Sequence, residues 1–279
     1  MGSRHFFALA GFASMLGAAA ACSSFGDDPV DAGTPDATTP EASDGAIQGS
    51  DAAGDGGPEA GGRPGMVLVT GASRPFYIDE TEVTYDRYEA FRQTSPTFSS
   101  EPRCAWKTSA TTPCTASTGT LPVRCIDWCD ALAYCKSAGK RLCGGIGGGS
   151  ITEPDKLGSG LASQWLFACA GGAATDRWAY GLAYRSGVCN EASSGAVPVK
   201  SLPDCVGATA GVYDLSGNVK EWDDSCLELD GGPDAAKHSS CAVRGGSFTG
   251  PTAESKCGNL DMVVRYDTYD DVGFRCCAD

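Results

Sequence analysis

The sequence predicts a mixed α/β domain, low in regular secondary structure and rich in disulfides, behind a leader and an acidic linker. Three observations carry this. Tyr85 to Phe91 and Cys125 to Ala138 have apolar residues at helical spacing, while the rest reads as short strands and long loops such as Gly144 to Gly160. Fourteen of the fifteen cysteines fall between Cys104 and Cys277. Thirty-eight glycines leave few long apolar segments, so bridges and turns, more than local propensity, must specify the chain.

The first element is the leader. Arg4 and His5 precede a small-residue apolar run from Phe6 to Ala21. That run is short of the roughly 20 apolar residues a membrane helix needs, so residues 1–21 read as a secretory signal peptide. Ala19-Ala20-Ala21-Cys22 resembles a lipobox, in which cleavage precedes a cysteine that carries lipid, although Ala19 stands where Leu is usual. The plain alternative is an ordinary signal-peptidase site near Ala21.

The second element is a linker, residues 22–64, made of Asp, Ala, Gly, Pro, Thr and Ser with no aromatic after Phe25. It lacks the apolar surface to offset ordering entropy and is expected to be disordered. Between Ser23 and Gly65 nine carboxylates face only Arg63, which gives −8 of the chain's −14. The domain at 65–279 keeps a moderate negative charge without basic clusters, which argues against nucleic acid as a partner.

Within the domain, the first helix presents Tyr88 and Phe91. In the second, Trp128, Leu132 and Cys135 lie at i, i+4 and i+7, Ala131 and Tyr134 widen the face, Asp127 is the expected N-cap and Gly139 the stop. Nothing repeats at a fixed period. The glycine run at Gly144 to Ser150 has neither the Lys of a phosphate loop nor a dinucleotide context. With no C-x-x-C pair and His238 as the one histidine beyond the leader, zinc sites and serine-histidine hydrolysis are poorly supported. The cysteines then read as disulfides formed outside the cytoplasm.

The most informative run is GVYDLSGNVKEW, Gly211 to Trp222. Asp214 and Glu221 offer carboxylates, and Gly217 and Val219 carbonyls, the mixed oxygen set that calcium takes. The structural alternative is a polar turn between two strands. The run resembles GLYDMSGNVWEW of the formylglycine-generating enzymes, the sulfatase-modifying factors, which bind calcium through these four positions. Val212, Leu215 and Lys220 are the departures.

Five further segments resemble the family in order. These are GMVLVTGASRPFYIDETEVTYDRYEAFR from Gly65, PVRCIDWCDALAYCKSAGKRLCGG from Pro122, SQWLFACAGG from Ser163, VRGGSF from Val243 and VGFRC from Val272. The resemblance implies a compact mixed α/β domain related to C-type lectins. It also implies a disulfide from Cys135 to Cys276, with Cys277 as the rival, and a strand before the first helix. A second family calcium site looks decayed, since Asn190 and Glu191 survive but no Asp follows before Ser201. One ion is therefore expected.

Active members of the family present R-G-G-S-x-x-C-H-x-S-Y-C, whose two thiols hold copper(I). Here RGGSFTGPTAESKC, Arg244 to Cys257, puts Gly250 at the first thiol and Pro251 at the His. Aligned from the GFRC end, Cys257 matches the second thiol and Thr252 the first. Either way one thiol is missing, so copper is not expected and Cys257 is at most a remnant catalytic thiol. The competing reading makes it a half-cystine, with Cys241 or Cys226 as partner. The iron-binding relatives need three histidines, which this chain lacks. The expectation is a non-catalytic, calcium-binding domain tethered through Cys22 to a bacterial envelope, in the outer membrane or periplasm, that binds a peptide, glycan or envelope protein. The alternative is a divergent oxidase that modifies a cysteine of a partner protein.

Overall fold

A computed structural model of the chain describes residues 62–172 and 175–279. All of them belong to one compact unit beginning at Gly56. The leader, Cys22 and most of the linker lie outside the described residues.

Two four-stranded sheets form the frame. The first contains β1 (Met66–Val69), β2 (Phe76–Asp79), β3 (Arg141–Leu142) and β8 (Cys276–Ala278), in the order β1-β2-β8-β3 and antiparallel throughout. The second contains β4 (Lys220–Leu227), β5 (Ser240–Arg244), β6 (Leu260–Val264) and β7 (Val272–Phe274), in the order β6-β5-β4-β7, with β7 parallel to β4. Only Arg275 separates β7 from β8, so the chain passes from one sheet to the other across that residue.

The helices are α1 (Tyr85–Arg92), α2 (Trp128–Ser137), α3 (Gln164–Ala170) and α4 (Pro233–His238). Asp127 caps α2 with a reciprocal box: its carboxylate accepts from the Asp130 amide at 3.0 Å, and Asp130 accepts from the Asp127 amide at 3.1 Å. The helix therefore starts three residues later than the apolar spacing suggests. Cys125, with φ of 62°, is left-handed and cannot begin it. Gly139, with φ of 67°, turns the chain away just after the end. Sequence spacing assigned no element to α3, whose seven residues are buried all round and so carry no amphipathic signature. Ser163 caps it and Gly171 ends it in the left-handed region.

Two apolar clusters lie on opposite faces of the first sheet. One joins Tyr88, Phe91, Trp128, Leu132, Trp222, Phe274 and Cys276, and the other Phe76, Ile78, Trp165, Leu166, Leu215 and Cys277. Side chains alternate faces along a strand, so the adjacent cysteines of β8 enter different clusters. Cys276 bonds to Cys135 of α2 and Cys277 to Cys143, each with an S–S distance of 2.02 Å. The remaining bridges are Cys104–Cys129, Cys114–Cys125, Cys169–Cys257, Cys189–Cys205 and Cys226–Cys241.

Candidate functional site

The segment before β4 is built from left-handed residues. Asp214 (φ 61°), Gly217 (φ 76°) and Asn218 (φ 57°) coil the backbone tightly into the strand. At Gly217 a Cβ would stand 2.4 Å from the Asn190 carbonyl oxygen, so no side chain fits there. Beyond the turn, Glu221 sits on the central strand, paired with Arg244 of β5 and Gly273 of β7.

The turn and strand bury their carboxylates around one guanidinium. Arg275 grips Glu221 as a fork: Nη2 donates to Oε1 and Nε to Oε2, both at 2.7 Å. Trp165 Nε1 donates to the same Oε2 at 2.9 Å. Arg275 also donates to the carbonyls of Asp79 at 3.2 Å and Tyr213 at 2.8 Å. Asp214 Oδ2 accepts the Lys200 amide at 2.6 Å. Glu82, fully buried, accepts from Asn218 Nδ2 at 2.9 Å through Oε1.

Burial, reinforced by the Asp214 charge and opposed by Arg275, holds the Glu82 carboxyl well above the usual carboxylate range. Burial also raises Asp214, against the pull of the Lys200 amide and Arg275.

A cation at this turn would have to compete with Arg275 and Trp165, which occupy both oxygens of Glu221. Of the buried carboxylates Arg275 bonds only Glu221, with the Glu82 and Asp214 carboxyls buried nearby and hydrogen-bonded to each other, and Glu221 Oε1 keeps a lone pair after its single bond from Arg275. Among the described residues no three His, Cys, Asp or Glu side chains stand close enough to cage a metal by themselves, so the carbonyls of Gly217 and Val219 would have to complete the shell. Sequence reasoning named Asp214, Gly217, Val219 and Glu221 but gave no role to Glu82 or Arg275. Both stood in view, in the E-V-T and G-F-R segments, where nothing local connects them to the turn.

Asn190 donates its amide to Gly195 O (3.0 Å) and Asn218 Oδ1 (3.1 Å), and its Oδ1 accepts from Ser193 Oγ (2.7 Å). Burial pushes the neighbouring Glu191 carboxyl up to about 7.

The region after Arg244 carries no reactive sulfur. Gly250 lies on a loop before a short 3-10 turn, Thr252–Ser255. Cys257 is fully buried, and its sulfur is 2.00 Å from that of Cys169 on α3. This corrects two readings: Cys257 is not a remnant thiol, and its partner is neither Cys226 nor Cys241. Those two face each other across β4 and β5 in register and bond to one another. A cleft of about 220 Å³ lies beside the loop, lined by Lys220, Gly245, Gly246, Glu254, Asn259 and Asp261. Lys220 is held by Asp261 at 2.9 Å.

The family model for the sulfatase-modifying factor enzyme 1-like domain matches residues 56–279. The chain belongs to this family. Solved structures similar to this sulfatase-modifying factor domain include Treponema denticola variable protein 1, at 21% identity over 73% of this chain and 84% of that one, with a TM-score of 0.47. PvdO from Pseudomonas aeruginosa is similar at 21% identity over 75% and 82%, TM-score 0.47, and CarF at 23% over 73% and 86%, TM-score 0.45. Seven disulfides in a sulfatase-modifying factor domain suit an oxidising compartment outside the cytoplasm. Among the described residues no helix is long and apolar enough to cross a membrane.

Proposed function

We propose that this domain is a non-catalytic sulfatase-modifying factor, lipid-anchored through Cys22 outside the cytoplasm, which carries one calcium ion and binds a peptide, glycan or envelope protein. The observation that supports the non-catalytic reading is the pairing of all fourteen domain cysteines, Cys257 with Cys169 among them. Linear copper(I) coordination needs two thiolates, and a half-cystine supplies none. Calcium at Asp214 and Glu221, with the carbonyls of Gly217 and Val219, would offset the excess negative charge of the buried cluster. It would also tie the turn to the head of β4.

Thiol titration of the denatured, unreduced domain tests the main point. The expected result is no free thiol, no stoichiometric copper(I) binding and no oxidation of cysteine in a substrate-like peptide. Two titratable thiols together with bound copper would overturn it and restore the oxidase.

A further inference from the structure

The members of the first apolar cluster are all buried. Its three least buried members are Phe91 (6% exposed), Leu132 (4%) and Phe98 (3%). All three line one cavity of about 360 Å³ between α1, the loop that follows it and α2. That volume falls in the range of small-molecule sites, and it lies on different elements from the turn at Asp214. The floor is apolar, made of these side chains, Ala133 and the Cys104–Cys129 bridge.

The rim has one cation, Lys136, and one carboxylate, Glu101. Lys136 lines the opening with its side chain 48% exposed, and it donates to Glu101 Oε2 at 2.6 Å. Glu101 is shared with Arg103, whose Nε donates to Oε1 at 2.9 Å. Against burial, which raises it, these hydrogen bonds bring the Glu101 carboxyl down to about 2, so it stays charged and keeps Lys136 at the rim. An ammonium has three donors, and one contact to Glu101 leaves others for an arriving group.

We propose that this cavity is a binding site for a small amphipathic anion, with an aromatic or short acyl body on Phe91, Phe98 and Leu132 and an acidic end group at Lys136. The apolar body gains from leaving water, and the end group meets the one cation of the rim. The inference does not depend on the calcium or thiol readings.

Two fluorescent probes of matched shape test it on the mature disulfide-bonded protein: anilinonaphthalenesulfonate, which is anionic, and phenylnaphthylamine, which is neutral. The expected result is one saturable site for each. Ala133→Trp, which fills the cavity, should weaken both by about tenfold or more. Should that variant fail to fold, as judged by its melting curve, Thr97→Trp on the exposed loop supplies the same obstruction. Lys136→Gln should weaken the sulfonate several-fold and leave the neutral probe nearly unchanged. Absence of saturable binding, or binding untouched by the tryptophan variant that folds, overturns the site. Equal loss of both probes in Lys136→Gln, or loss of neither, overturns the anionic end group.

Discussion

At Asp214 one side chain meets two demands, a left-handed backbone and a buried charge. Asn tolerates the same backbone conformation, so Asp214→Asn removes the charge with little strain. Calcium should raise the melting temperature of the wild type, by an amount equivalent to about 2.7 kcal/mol at a hundredfold excess over Kd. Asp214→Asn should lose most of that rise; a response equal to the wild type's in a calorimetric scan would exclude Asp214 as a ligand. Glu221→Gln is a poorer test because it breaks the buried Arg275 pair, a loss of about 3 to 5 kcal/mol with or without calcium. A second residue-scale effect concerns pH. Burial and the Asp130 charge push Asp127 from an ordinary 3.8 to about 7, against Lys107, whose Nζ is 2.5 Å away. Folded protein thus holds a proton that the unfolded chain releases, and stability falls as pH rises through that interval. Glu191, also raised to about 7, acts in the same direction, while Glu101, lowered to about 2 from 4.5, loses its contribution only as pH drops through that lower range. The domain should melt at a higher temperature at pH 5 than at pH 8, and Asp127→Asn, which leaves Lys107 with Asp130 alone, should shrink the difference. A melting temperature that rises from pH 5 to 8 contradicts this.

At the scale of elements, α1 and α2 were legible because each turns one apolar face to the core, whereas α3 was not because it has no polar face. Strand β8 shows what the sequence left open. Its C-C pair reads as two rivals for one bridge, but alternation puts them on opposite faces, and both are used. The two bridges span 141 and 134 residues and enclose almost the same loop. Chain entropy assigns about 5 kcal/mol to the first crosslink made. The other then closes only a ring of roughly nine residues, for about 2.6 kcal/mol. Removing either bridge alone by paired Cys→Ala changes should therefore cost only about a third of what removing both does. Denaturant unfolding checks this, and single costs that simply add to the double would refute the shared-loop argument.

At the scale of the whole molecule, residues 23–65 carry −8 of the charge, which leaves the rest only moderately acidic. The proposed acyl anchor at Cys22 predicts that Cys22→Ala moves the protein from membranes to the soluble fraction or stalls its maturation; a variant that stays membrane-bound and normally matured rules the anchor out. What the sequence alone determined was the family, through six ordered segments, the oxidising compartment, through cysteine number, and the missing second thiol, through Gly250 and Thr252. Each is a matter of which residue stands where along the chain. Only the tertiary structure decided which cysteines meet, out of roughly 10^5 possible pairings. It alone brought Glu82, Asp214, Glu221 and Arg275 together, because they reach one point from β2's exit, the turn, β4 and the crossing between sheets. Separations of up to about 190 residues close there through strand order, and strand order has no local signature in a chain whose strands are two to eight residues long.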